Sequence, residues 1–286
     1  MFTLAGRGNA WHATCLRELS RRFIQFLRKR CPFHVLRPLS ICGRRYGQSQ
    51  KVDVLSNNMA NVDTVGFKRE LALLEARDSE AIERGLSPRG TRGLDDIGGG
   101  MRMNATATDF SLGNLRSTGI PTDFALEQPN CFFTVQRDKE TLLTRAGNFE
   151  IAGDGRLTTR EGDEVLATDG TPIFIDPSLP WVMLPGGVIS QGGDAREIAI
   201  RIPENVSQLQ KVGQNYFSAS KTNTELALPE QRKIRNGFTE QSTVNPMQEM
   251  VELITASRGY ETNIKMIQNH DSMVGSLVSR LLRPPS

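Results

Sequence analysis

The sequence is poor in the side chains that carry covalent chemistry. It has three histidines, four cysteines and two tryptophans in 286 residues, and most crowd into one end as Trp11, His12, Cys15, Cys31, His34 and Cys42. Nucleophile–base catalysis needs a base within reach of a serine or cysteine. The single histidine beyond that end, His270, sits beside Asp271 in a stretch with helical apolar spacing, where it reads as a packing or interface residue. No HExxH, CxxC or phosphate-cradling glycine loop occurs. Acid pairs such as Asp95-Asp96 and Asp163-Glu164 fall in turn-like segments where solvation explains them, and Cys131 reads as a small buried hydrophobe. These absences argue against an enzyme and imply no cofactor, no metal and no small-molecule substrate. Aromatics are only 6% of the chain, and no run reaches the ~18 apolar residues of a membrane helix.

What is present is unevenly spread. Residues 1–45 carry ten Lys/Arg against one acid, Glu18, a net +9, while the remainder is −6. This basic leader lacks the apolar core of a secretory signal. Its Cys15, Cys31, His34 and Cys42 do not form two close ligand pairs for zinc. Leu16, Leu19, Phe23 and Leu27 could line one face of a basic amphipathic helix that touches a membrane or nucleic acid. The composition favours another reading, a disordered or non-native leader from a shifted start or frame.

The rest divides by period. A short helix is expected at about 47–62 within a segment 46–84, followed by a Gly/Pro linker at 85–100. The helix pattern could continue into "KRELALLEARD". Residues 101–240 hold short runs rich in β-branched and aromatic residues, such as "CFFTVQRD" (131–138) and "EIAIRIP" (197–203). Between them stand Gly153-Asp154-Gly155, Glu161-Gly162-Asp163, Asp169-Gly170 and Gly186-Gly187, which suit tight hairpins. The expected fold is α+β, with a central hairpin-rich antiparallel β domain between terminal helices.

In segment 241–286, Asn245 can cap a helix with Pro246 in its first turn. From Met250 through Leu253, Ser257, Tyr260, Ile264, Ile267, Asp271, Val274, Val278 and Leu281 the gaps alternate three and four, a heptad seam. Val251, Ile254, Met266, Met273 and Leu277 widen it, so such a helix needs partners on more than one side. The first helix offers a matching face in Val52, Leu55, Met59 and Val62. Its end is loaded with asparagine, a poor helix former: Asn57, Asn58 and Asn61 precede Asp63, Gly66 and Phe67. Asn61 and Asp63 read as capping and turning the chain, with Gly66 permitting a reversal and Phe67 docking. Asn57 and Asn58 are open between that local role and bonds to neighbouring subunits.

The stretch "LSNNMANVDTVGFKRE" (55–70) resembles the N-terminal signature of the bacterial flagellar basal-body rod and hook family. The resemblance continues through "TDFSLGNLRSTGIPTDFALE" (108–127), "FFTVQ" (132–136), "TRAGNFEIAGDGRL" (144–157) and "VNPMQEMVELITASRGYETNIKMIQNHDSM" (244–273), about 220 residues in the family's order. It departs at the first half of the N-terminal helix, where the leader stands, and at a glycine-rich turn, here Gln128-Pro129-Asn130-Cys131. Family members imply a structural subunit of proximal- or distal-rod type, and the short linker leans to the proximal. Alternatives are a hook-type subunit or a nucleic-acid-binding protein using the basic leader. The family further implies terminal helices packed coiled-coil-like in the wall of a tube. Its partners would be other copies, other rod and hook subunits and the flagellar export apparatus, without a cleaved signal peptide and without nucleic acid. The expected assembly residues are Val52, Leu55, Asn57, Asn58, Met59, Asn61, Val62, Gly66, Phe67, Leu253, Tyr260, Ile264, Ile267, Val274 and Val278.

Overall fold

A computed structural model describes residues 32–86, 88–90, 98–213, 215–219 and 223–281. Helix α1 spans Pro32–Ala60. Strands β1 (Glu70–Arg77) and β2 (Gly100–Thr108) pair with each other, flanking the one-turn helix α2 (Glu80–Glu83). Short strands β3 (Leu115–Ser117) and β4 (Phe124–Leu126) follow, then β5 (Phe132–Arg137), β6 (Glu140–Thr144), β7 (Phe149–Ile151), β8 (Leu157–Thr159) and β9 (Glu164–Val165). A separate three-stranded meander comprises β10 (Trp181–Leu184), β11 (Val188–Gln191) and β12 (Asp194–Glu197). The chain continues through β13 (Ile200–Pro203), β14 (Gln210–Val212), β15 (Tyr216–Ser218), β16 (Thr224–Leu226), β17 (Ile234–Asn236) and β18 (Phe238–Glu240) into helix α3, Pro246–Leu281.

The fold is α+β, with an antiparallel β-rich region and a C-terminal helix. Its main sheet has nine strands and runs β14-β15-β6-β5-β9-β8-β7, with β13 on β5 and β16 on β13. The hairpin of β5 and β6 is its centre, in register from Phe133 opposite Thr144 to Arg137 opposite Glu140. Side chains alternate across a strand, so adjacent phenylalanines serve different faces. Phe133 joins the large core with Phe124 and Phe149, its ring centroid 5.2 Å from that of Phe149. Phe132 faces a smaller cluster with Leu143, Phe217 and Phe110. The turn glycines adopt positive φ as their sequence context demands, Gly155 at 85°, Gly162 at 92° and Gly170 at 81°.

Two features differ from the sequence expectations. The stretch after Phe67 leaves the helical pattern and forms β1. Bonds Gly99 N to Arg77 O (2.8 Å) and Asp109 N to Arg69 O (2.9 Å) close the ends of an antiparallel ladder with β2, and this pairing overrides the helix-forming Glu, Leu and Ala residues. Helix α1 already includes residues 32–45, ahead of the expected boundary, while the expectation for 1–31 falls outside the described residues. The described α-helices are the two long ones, α1 and α3, and the single turn α2. Where α1 approaches α3 at Gly259, the neighbour is the amide of Gln48, 3.8 Å from where a Cβ would stand.

Two compact units emerge. One joins Gln50–Leu73 to Asn104–Ala256 and holds the β-rich core; the other comprises the described residues among 32–49, 74–103 and 257–281. The β-rich unit is therefore wider than the 101–240 expected from sequence.

Candidate assembly interface and the joint behind it

The asparagine-rich stretch is built into the β-rich unit. At the end of α1, Asn61 Nδ2 donates to Asn57 O at 2.8 Å and its Oδ1 accepts from Thr64 Oγ1 at 3.2 Å, the capping role expected for it. Asn58 is fully buried and does something else. Its Oδ1 accepts from Glu70 N (3.0 Å) and its Nδ2 donates to Glu70 O (2.8 Å), so one side chain imitates a neighbouring strand for the first residue of β1. The same Nδ2 lies 3.3 Å from Glu249 Oε2. Asn57 is exposed and lines an open groove with Glu70, Gln210 and Lys211.

Gly66 turns the chain at φ +69°, donating from its N–H to Glu240 O at 2.8 Å. Phe67 is wholly buried with Lys211 Nζ 4.3 Å above its ring. Lys68 is buried too. Its Nζ is 2.7 Å from Glu240 Oε1 and donates to Ser111 O. Burial pushes the Lys68 ammonium below its ordinary pKa, against the upward pull of Glu240. The other Glu240 oxygen is 3.0 Å from Arg145 Nε, an ion contact without hydrogen-bond alignment. Arg145, also buried, donates through Nη1 to Gln128 O at 2.6 Å and to Cys131 O. That holds the Gln128-Pro129-Asn130-Cys131 turn. Arg69 Nε pairs with Glu249, and its Nη2 is 3.2 Å from Glu252 Oε1. Glu70 pairs with Lys211 at 3.0 Å. Each residue of "GFKRE" thus has a partner elsewhere in the unit, most of them on the segment leading into α3.

Helix α3 begins as its sequence indicates, with Asn245 Oδ1 accepting from Met247 N at 3.2 Å. Glu249 and Ala256 are its buried residues. Of the heptad seam, Leu253, Tyr260, Ile264 and Ile267 are half-buried, whereas Val274 and Val278 are exposed, as are Met273, Leu277 and Leu281. On α1 and the turn after it, Leu55 is buried but Val52, Met59 and Val62 are only half-buried. The covered stripe runs instead through Val54, Leu55, Asn58 and Asn61, about a quarter turn from the apolar one. Sequence reasoning missed Lys68, Arg69, Glu240 and Glu249. The available signal was a basic pair directly after a glycine turn, with acids at the start of a helix far along the chain.

In this arrangement the charges are paired with one another and apolar helix surface is left uncovered, features that suit an assembly-type subunit. The family model described as flagellar basal body rod FlgEFG protein C-terminal matches residues 235–280, that of the flagellar hook protein FlgE/F/G D1 domain matches 128–215, and that of the flagella basal body rod protein matches 47–68. The flagellar basal-body rod protein FlgF of Caulobacter vibrioides is 32% identical over 237 residues, covering 81% of this chain and 92% of the relative. FlgG of Bacillus subtilis is 30% identical over 245 residues, covering 80% and 92%. The Bacillus subtilis hook-basal body complex protein FlhO is 27% identical over 258 residues, covering 82% and 94%. The chain belongs to the flagellar basal-body rod protein family, and its role is that of a structural rod subunit of the flagellar basal body.

Proposed function

We propose that this subunit polymerises through its terminal helical segments, with other copies and with other rod and hook subunits, into the tubular shaft joining basal body to hook. It reaches that place through the flagellar export apparatus, without a cleaved signal peptide. The observation that carries this reading is the C-terminal part of α3. The heptad seam continues through Val274, Val278 and Leu281, but every residue from 271 to 281 is exposed. Burying a Val or Leu gains ~1.5–3 kcal/mol, so such a face favours a partner, and non-closing contacts between copies build helical filaments. Val52 and Met59, half-buried on α1, and Val62 just beyond it supply the complementary edge. The assembly set is then Val52, Leu55, Met59 and Val62 with Leu253, Tyr260, Ile264, Ile267, Val274 and Val278, while Asn57, exposed, is available to a neighbour and Asn58 is occupied internally. Nothing among the relatives favours the nucleic-acid alternative.

The test is Val274→Asp, on an exposed site where the monomer loses nothing. Its thermal melt should match the parent, while a rod-deficient strain carrying it should stay non-motile. Full motility would refute the seam.

A further inference from the structure

We infer that the buried ion network is a strap that couples the two ends of the β-rich unit: segment 57–70 and the first turns of α3 dock together, and neither stays docked once the other has let go. Glu249 is fully buried on α3, and its side-chain oxygens are held by Arg69 Nε and Asn58 Nδ2 from the N-terminal segment. In the other direction, the Arg69 side chain is held by Glu249 and Glu252 of α3, and its N–H donates to Thr243 Oγ1 at 2.9 Å. Lys68 is tied to Glu240 in the same sense, and Thr243 N donates to Phe67 O at 3.1 Å. In these pairs the cations, Lys68 and Arg69, come from the first segment and the carboxylates, Glu240, Glu249 and Glu252, from the second or the strand leading into it, while Arg145, also on Glu240, belongs to neither.

An apolar contact can be lost piece by piece, because exposing part of a side chain forfeits only that part's area. A buried ion pair does not fail gradually. If residues 57–70 lift away, the Glu249 carboxylate loses both groups that bond it, Arg69 and Asn58, and any part of it still covered is left as an uncompensated charge, among the least tolerated states in a protein interior. Release of both segments relieves that state by hydrating both partners. The coupling is reciprocal by thermodynamic necessity: whatever docking of α3 contributes to segment 57–70, that segment returns to α3. The inference concerns the isolated chain and does not depend on polymerisation.

Hydrogen–deuterium exchange on the full chain tests it with Arg69→Met and Glu249→Gln. Arg69→Met should speed exchange across residues 249–256 of α3 by about ten-fold or more, and Glu249→Gln should do the same across residues 61–70. Amides of β5 and β6 should stay as protected as in the parent. If Arg69→Met also loosens β5 and β6, Arg69→Lys, which keeps the charge without the fork to two carboxylates, carries the same expectation at smaller amplitude. Faster exchange confined to each variant's own segment, or unchanged exchange in both segments, would overturn the strap.

Discussion

Gly66 holds a left-handed turn so tight that a Cβ would stand 2.6 Å from Arg145 O and 2.5 Å from Ala146 N. Backbone atoms cannot step aside as a side-chain tip can. Gly66→Ala should therefore lower unfolding free energy by ~2 kcal/mol or more, from the left-handed penalty plus the clash, read as a lower urea midpoint with the same slope. Asn58 is the second sensitive residue. Asn58→Leu keeps most of the volume but strands the N–H and C=O of Glu70, each at about 1–3 kcal/mol when buried. Asn57→Ala, one position away on the exposed side, should stay within ~0.5 kcal/mol. Equal thermal melts for the two variants would contradict this assignment. The sequence marks this stretch as unusual but hides which asparagine matters, because the partners of Asn58 lie 12 and 191 residues away. Local spacing holds no record of pairings that distant.

At the scale of elements, hairpins were legible where strong β-formers meet turn glycines, as from β5 to β9. Strand β1 was not. "ELALLEAR" favours helix by composition, and it becomes a strand because β2 pairs with it and Asn58 templates its first residue. The short strands β12, β14 and β16 are polar and three or four residues long, too little for a period to show. Within the sheet, the turn before β9 depends on Asp163. Burial would raise its pKa, yet the two hydrogen bonds from Arg137, at 2.7 and 2.8 Å, together with that guanidinium's charge hold it below the ordinary 3.8. A carboxyl with a depressed folded pKa contributes stability that is complete above its ordinary value and is lost as pH falls through the lower, folded one. Melting temperature should therefore drop below about pH 4 more steeply for the parent than for Asp163→Asn. Parallel curves would remove Asp163 from this account.

For the whole molecule, the β-rich unit is assembled from two stretches of chain separated by residues 74–103. Arg84 and Arg89 lie in exposed positions within that interval. Trypsin acting there should nick the chain without dispersing it. The pieces should elute together under native conditions and part only in denaturant, since Lys68–Glu240, Arg69–Glu249 and the buried ring of Phe67 cross between them. Separate elution without denaturant would show that these contacts do not hold the unit. The heptad seam announced α3 from sequence alone, whereas the discontinuous unit did not show, because a domain closed by contacts between distant segments has no compositional edge.

The charges of this chain also differ in depth. Lys68, Glu240 and Arg145 are almost wholly withdrawn from solvent, whereas both partners of Arg196–Asp169 are more than half exposed. Mobile ions screen over ~10 Å at 0.1 M salt and ~3 Å at 1 M, but only where they can enter. Brine therefore erases the surface pattern of charge and leaves the joint beneath Gly66 untouched, so the grip between the chain's two ends is set by its sequence and not by the fluid it stands in.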